Sequence, residues 1–387
     1  MRLENASYPL ICLYFSPMNL SYWEYKTWLS NIDFTIVGSG IVGLNCAIRL
    51  KSRFPKAKIL VLEKGIVPQG ASTKNAGFAC FGSISEILSD LRYHSEETVI
   101  QLVQKRWDGI QLLRKNLGDD AIDFQQHGGH ELFTLDDREL YARCLEKVEE
   151  VNRMLRPIFK QDAFVKHDNI FQFKSIQKSY ITNVQEAQLD TGKMMSSLMD
   201  LAQKKGIILL NAIAVEHFVE VGDGISVKTD KFDLLTKKLL LATNGFASAL
   251  LEEPVKPARA QVLITKPIKD LRIKGTFHLD EGYYYFRNID DRILFGGGRN
   301  LDFKGEETTE FGETQLIQDQ LEKILKEVIL PDLPFEVDRR WSGIMGIGDQ
   351  KRPIVKQVSN NVFCGIRLGG MGIAIGSLVG QELADLT

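Results

Sequence analysis

A chain of 387 residues, 44% hydrophobic and 25% charged, has enough apolar surface for one large core or two interleaved ones. Its formal net charge of -2 excludes a broad basic face for nucleic acid, and its even composition excludes low-complexity classes. Five scattered cysteines, at positions 12, 46, 80, 144 and 364, exclude a disulfide framework and a metal cluster and point to a reducing, cytoplasmic setting.

In chain order, the apolar stretch Tyr8–Phe15 is too short to cross a bilayer, so no stable membrane insertion is expected. Met18 is an alternative initiator to Met1, and residues 1–32 read as an N-terminal extension. "DFTIVGSGIVGLNCAIRL" (Asp33–Leu50) then predicts a strand over Phe34–Gly38 and a helix over Ile41–Leu50, opened by Ile41 and Val42. Gly38 permits the tight turn, Gly40 lets a phosphate approach backbone amides, and Gly43 lets helix and strand pack closely. The next predicted strand, Ala57–Gly65, carries Glu63 about twenty residues past the last glycine, placed to accept from a ribose 2′-hydroxyl. That acid disfavours NADP; Lys64 beside it need not point inward, and NAD and FAD both stay open on these residues alone. The polar segment Val67–Ser83, with Ala71, Ser72, Thr73, Lys74, Asn75, Ala76 and Gly77, replaces the further βα unit of a simple nicotinamide dehydrogenase and weighs toward FAD.

Further on, long helices are predicted over Ser95–Gly118 and Asp137–Leu155, and a strand over Gly128–Leu135. Strands are expected within Arg259–Ile268, Gly275–Asp280, Gly282–Ile289 and Arg292–Gly298, and a helix over Thr314–Val328. Alternation in "GYYYFRN" puts Tyr283, Tyr285 and Arg287 on one face and Tyr284 and Phe286 on the other. Tyr283 and Tyr285 are candidates for a substrate pocket, and Arg287 or Arg299 for gripping a carboxylate; an ordinary core pair and surface ion pairs are the competing readings. No nucleophile–histidine–acid triad is visible.

With Gly38, Gly40, Gly43, Glu63 and "GASTKNAG" (Gly70–Gly77) in this order, the chain resembles the D-amino-acid oxidase superfamily, the group of glycine oxidase, sarcosine oxidase and gamma-glutamylputrescine oxidase. Downstream segments extend the resemblance: Glu186–Leu210 as the return crossover, Ala212–Phe218 with Val215 at the adenine, and Thr243, Asn244 and Gly245 closing over the dinucleotide. Gly343, then Arg367, Gly369, Gly370, Met371, Gly372 and Ile373, resemble the last cofactor-binding section, whose glycine turn faces the flavin. The resemblance implies an α/β fold: a Rossmann-type FAD-binding domain (33–81, 185–248 and 337–387) interleaved with a mixed-sheet α+β substrate domain (82–184 and 249–336).

It also implies an FAD-dependent oxidoreductase that removes hydride from the carbon of a small amine or amino acid, giving an imine that water hydrolyses. Oxygen or another acceptor would take the electrons. Oxidation of a C–OH bond is the alternative, and a flavin-containing structural or tRNA-modification partner a more distant one, disfavoured by the charge. Lys74 would support oxygen reactivity, or would only meet solvent or phosphate. Met371 stands where sarcosine-oxidase-like relatives carry a histidine. Two departures follow from "WSGIMG" (Trp341–Gly346): Met345 stands near the place of the family's carboxylate-gripping arginine, and no cysteine is near to attach FAD, so the cofactor is expected to be noncovalent.

Overall fold

The structure is a computed structural model that describes residues 18–387; Tyr8–Phe15, Cys12 and the choice between Met1 and Met18 concern positions outside the described residues or at their edge. Residues 32–79 form β1 (Ile32–Val37), α1 (Ile41–Arg53), β2 (Ile59–Glu63) and β3 (Phe78–Ala79). Residues 84–183 form α2 (Ile84–Tyr93), α3 (Glu96–Leu117), β4 (Gly129–Glu131), α4 (Arg138–Phe159), β5 (Phe164–Asp168) and β6 (Ser179–Asn183). Residues 187–241 form β7 (Ala187–Gln188), α5 (Thr191–Lys204), β8 (Ile208–Asn211), β9 (Val215–Val221), β10 (Gly224–Thr229) and β11 (Asp233–Leu241). Residues 256–324 form β12 (Lys256–Thr265), β13 (Thr276–Leu279), β14 (Tyr284–Ile289), β15 (Arg292–Gly297) and α6 (Gln315–Ile324). Last come β16 (Val337–Ile347), β17 (Ile354–Ser359), β18 (Val362–Ile366) and α7 (Gly372–Asp385).

One sheet runs β17-β18-β11-β1-β2-β8, with the β9–β10 hairpin attached to β11. Its strands β18, β11, β1, β2 and β8 are mutually parallel. Parallel strands are covered on both faces. That is why β2 reads "ILVLE" and is buried throughout. Residues from α1, α3, α5 and α7 fill the core on one face, and Leu60, Leu62, Ile225, Val227 and Leu239 share the core on the other.

A second sheet runs β16-β12-β15-β14-β13-β4-β6-β5 and is mostly antiparallel. Tyr284 and Phe286 enter its core with Phe277, Phe295 and the α6 residues Ile317 and Leu321. Their alternates on β14 face the other way, as the period-two pattern requires. The mixed α/β fold expected from the sequence is the observed one, with chain segments alternating between the two sheets. Val337–Ile347, read as the start of the returning nucleotide section, pairs with β12 from Lys256↔Ile347 to Thr265↔Val337 and so belongs to the second sheet; its Gly343–Ile347 end reaches the cleft between the sheets.

Local signals set the helix ends. Ser95 accepts from the Thr98 N–H at 3.3 Å to start α3, and Gly118, at φ 86°, ends it. The predicted Asp137–Leu155 helix extends to Phe159 through Pro157 and stops at Lys160, whose φ is 61°. In "GGHELFTL" the continuous strand is Gly129–Glu131, with an isolated antiparallel bridge from Thr134 to Ile176 beyond it.

Candidate cofactor and substrate site

The C-terminal ends of β1, β2, β8, β11 and β18 all open on one cavity of about 900 Å³. Ligands of open parallel sheets bind at this edge, where the strand order switches direction, here between β1 and its two neighbours. Beyond β1, Gly38 turns the chain at φ 102°, and Gly40 caps α1. A Cβ on Gly43 would lie 1.9 Å from the Gly38 carbonyl oxygen, so only glycine lets α1 sit this close to the end of β1. Gly38, Gly40, Ile41 and Val42 line the cavity; Gly43 lies behind them as a packing residue.

Glu63, buried at the end of β2, accepts from the Ser39 N–H and Oγ–H at 3.0 and 2.8 Å and from the Gly65 N–H at 3.0 Å. The carboxylate thus fixes the glycine turn and still faces the cavity. Lys64 also lines it, its Nζ 3.4 Å from the Phe246 ring centroid, and burial lowers its pKa.

Ser72 receives the Ile41 N–H at 3.0 Å, which brings the segment after β2 onto the N-terminus of α1. Ala71, Ser72, Lys74, Asn75 and Ala76 line the cavity. Thr73 does not: its hydroxyl donates to the Pro68 carbonyl at 2.6 Å and closes the turn. Asn75 donates to the Ser72 carbonyl at 2.8 Å and accepts from Gly77 N–H and Thr191 Oγ–H at 2.9 and 2.8 Å, so its amide staples this loop to α5. Lys74 Nζ lies 5.4 Å from the Phe311 ring centroid, and the Trp341 indole donates to the Lys74 carbonyl at 3.0 Å.

Val215, Thr243 and Asn244 line the cavity at the ends of the neighbouring strands. Gly245 lies outside the lining and against β16, where a Cβ would be 2.5 Å from the Met345 carbonyl oxygen. Asn244 Oδ1 accepts from the Leu368 N–H at 3.1 Å, and Gly369 N–H donates to the Gly346 carbonyl at 2.9 Å. These bonds knit the exit of β11, the end of β16 and the C-terminal glycine turn into one wall. Gly343, Met345, Gly369, Gly370, Met371, Gly372 and Ile373 form part of it.

The arginines divide. Arg299 lines the cavity with no carboxylate partner among the described residues, its guanidinium 4.7 Å from the Phe303 ring centroid. Arg287 does not reach the cavity, contrary to expectation. It is 2% exposed and donates to the carbonyls of Leu189 and Gly77 at 2.8 and 3.3 Å, clamping the cofactor-side loop and the β7 exit onto β14. Burial pulls its pKa down to about 10. Gly77, at φ 76°, lies under this clamp and not in the lining. Arg367 is likewise spent on structure, donating to the Arg352 carbonyl at 3.1 and 3.0 Å.

Tyr285 and Tyr283 both line the cavity; Tyr283 is 41% exposed at its mouth. Burial pushes the Tyr285 phenol up to about 12, so it stays un-ionised at neutral pH. Sequence reasoning missed His278, Phe78, Cys80, Glu86 and Lys351, which also line the cavity. The strand pattern "TFHL" put His278 opposite Phe277 in facing, a signal that could have found it. Among the described residues no group of His, Cys, Asp and Glu could hold a metal ion.

The residues fit a flavin dinucleotide. Thr243 Oγ1 is buried without a partner, and a Cβ on Gly369, Gly370 or Gly372 would stand in open space beside the N-terminus of α7. Such a cradle offers amides and a helix dipole to the edge of a planar ring that gains negative charge on reduction.

The profile of the DAO family, described as FAD dependent oxidoreductase, matches residues 33–386. The chain is 20% identical over 407 aligned positions to the probable oxidoreductase OrdL of Haemophilus influenzae, covering 96% of this chain and 86% of that protein. Among solved structures, glycine oxidase of Geobacillus kaustophilus superposes with a TM-score of 0.73 at 18% identity, covering 92% of this chain and 94% of that one. L-proline dehydrogenase of P. horikoshii superposes with a TM-score of 0.71 at 18% identity, covering 92% and 93%.

Proposed function

Because the chain belongs to the DAO family of FAD-dependent oxidoreductases, we propose that it oxidises the C–N bond of a small amine or amino acid. The observation that carries this reading is the single cavity that joins the dinucleotide cradle to the Tyr285 face of the second sheet. When bound, FAD supplies a two-electron acceptor for the hydride on the carbon that bears the amine. The imine so formed takes up water and yields a carbonyl compound and ammonia or a smaller amine.

The chain's own residues bind and orient. Gly38, Gly40, Ser72 and Glu63 would hold the pyrophosphate and ribose end, and Thr243 the dinucleotide beside β11. The Leu368–Gly372 turn would support the ring, its amides and the α7 dipole stabilising negative charge there. Tyr285, Phe78 and Val262 form an apolar floor that excludes water from the reacting carbon. Arg299 is the cation placed to meet an anionic substrate group, and Lys74 the cation on the cofactor loop. Hydride transfer from a neutral amine requires no strong side-chain base. The similarity to a glycine oxidase and a proline dehydrogenase supports an amino-acid substrate. We further propose noncovalent attachment and a domain partition of 33–81, 185–248 and 348–387 for FAD against 82–184 and 249–347 for substrate, with β16 on the substrate side because it pairs with β12.

Anaerobic mixing tests the reading. Amines and amino acids should bleach the flavin of the reconstituted protein while the matching 2-hydroxy acids leave it oxidised. Bleaching by hydroxy acids alone would move the reaction to C–OH oxidation.

A further inference from the structure

One titratable side chain on the cavity wall stands outside the cofactor cradle. Strand register sets His278 opposite Tyr285, Tyr285 opposite Gly296, and Gly296 opposite Val262, in one lateral row across β13, β14, β15 and β12. Side chains in such a row leave the sheet on one face. A Cβ on Gly296 would lie 2.8 Å from Tyr285 Cε2 and 2.4 Å from Val262 Cγ1, so the glycine makes room for the tyrosine ring over β15. Phe78 meets His278 and Tyr285 edge-on, with ring centroids 5.4 and 5.7 Å away.

The imidazole is held from behind. His278 Nε2 is 2.6 Å from Glu186 Oε1, which also accepts from Thr276 Oγ–H at 2.8 Å. Glu186 is 0% exposed and packs against Gly129, where a Cβ would be 2.1 Å from its Cδ. Neither partner has room to turn away. Nδ1 has no hydrogen-bond partner among the described residues and is the nitrogen left to the cavity.

The charged and titratable surroundings come from several elements. Burial works against a charged imidazole, but Glu186, then Glu86 on α2 and Glu131 on β4, outweigh it and hold His278 up at about 9. His130 on β4 is kept neutral, at about 3, and the Cys80 thiol after β3 is held protonated by burial. At neutral pH the His278–Glu186 unit is therefore an ion pair whose free Nδ1–H is a hydrogen-bond donor.

We propose that His278 contacts the substrate: its Nδ1–H, beside Tyr285, receives the carboxylate of an amino-acid substrate, the group for which Met345 offers no cation. This deepens the C–N reading, but the carboxylate contact does not depend on which bond is oxidised. The donor is directional, so the negative field of Glu86 and Glu281 at the mouth does not cancel it. Arg299, on the same cavity, supplies the long-range attraction.

Equilibrium titration tests this without turnover. FAD-loaded protein is titrated with benzoate and, separately, benzamide, following the flavin absorption bands. The wild type should respond to benzoate and weakly or not at all to benzamide, with benzoate affinity falling tenfold per pH unit above about 9. H278Q keeps a partner for Glu186 but loses the cavity donor, and should weaken benzoate at least tenfold with benzamide unchanged. H278N returns a donor near the Nδ1 position and should recover part of that loss. E186Q should move the pH limb down toward 6.5. Equal benzoate affinity in H278Q and wild type, equal losses in H278Q and H278N, or no wild-type response to benzoate would overturn the proposal. The benzoate pattern is the same whether amines or hydroxy acids bleach the flavin, so the two readings fail separately.

Discussion

Glu131 lies behind the substrate face, where burial pushes its carboxyl up to about 7 against the help of Ser85, whose N–H donates to Oε2 at 3.1 Å and whose hydroxyl donates to Oε1. A carboxyl raised in the fold binds its proton more tightly than in the unfolded chain. Its contribution is thus fully present below pH 4.5 and lost as pH rises through about 7. E131Q should therefore gain stability over wild type on the alkaline side, on the order of 3 kcal/mol, and the gain should vanish toward pH 4.5. Thermal melts of both proteins across this range check it; a pH-independent difference would assign Glu131 a purely steric role. His278 has the same sign in a higher window: its contribution holds below 6.5 and is lost through about 9, and because Glu131 is one of the carboxylates that hold the imidazole up, E131Q should lose less there and finish its decline at a lower pH than wild type. Cys80 Sγ is 3.8 Å from Met371 Sδ, which sets a thiol beside the expected flavin ring. Burial keeps that thiol protonated and a poor nucleophile. Acid precipitation should accordingly leave the yellow colour in the supernatant; a yellow pellet would mean a covalent link. At this scale the sequence was readable where partners are near in the chain, as with Gly38, Gly43 and Glu63. It was silent where they are far apart. Alternation put Arg287 on the Tyr285 face, but the carbonyls of Gly77 and Leu189 that capture it come from two other segments. Glu186 and His278 likewise meet only through the pairing of β13 with β4 and of β4 with β6.

Between β1 and α1, and between β18 and α7, two glycine turns face the same cavity but answer to different constraints. At the first, the fold itself demands glycine: a Cβ on Gly43 meets backbone oxygen at 1.9 Å, which no side-chain motion relieves. G43A should force α1 off the sheet, costing ~2–4 kcal/mol as an overpacking strain and lowering the melting temperature of the apoprotein. At the second, the fold is indifferent: Gly370 has nothing within 4 Å of a built Cβ and a backbone that alanine tolerates. G370A should melt like wild type as apoprotein yet bind FAD more weakly or with a shifted absorption band, because the methyl would enter the space proposed for the ring. Differential scanning of apo and loaded forms separates the two. Loss of apoprotein stability in G370A would show that the turn is packed for its own sake. Elements of this kind were legible because strand, turn and helix are contiguous. The sheet membership of β16 was not, because its apolar alternation suits either sheet and ten residues of pairing with β12 decide the matter.

The cavity draws its walls from Gly38–Val42, Glu63–Ala76, Ile213–Val215, Ala242–Leu250, Gly343–Ile347 and Leu368–Ile373, which span most of the chain. Segments so distant in sequence gain order from one shared ligand only if that ligand binds the native form alone. Binding of this type raises stability by RT ln(1 + [L]/Kd), about 2.7 kcal/mol at a hundredfold excess over Kd. Both sheets contribute walls, so the gain should appear in a single transition of the whole molecule and not in one half. The cross-ties point the same way: Arg287 joins β14 to the cofactor loop, Trp341 joins β16 to Lys74, and Asn244 joins the β11 exit to Leu368. Melting followed by far-ultraviolet circular dichroism and by tryptophan fluorescence should therefore give coincident curves that move together to higher temperature as FAD is added. AMP, which on the proposed cofactor placement would occupy only the ribose end near Glu63, should shift them less. A shift in one probe alone, or an AMP shift equal to that of FAD, would mean that the flavin half of the cradle and the second sheet are not coupled to the nucleotide end. In that case the substrate face would form without the cofactor, and R287M would leave FAD affinity unchanged; with coupling, R287M should weaken it, because the loop that carries Ser72 and Asn75 loses its tie to β14.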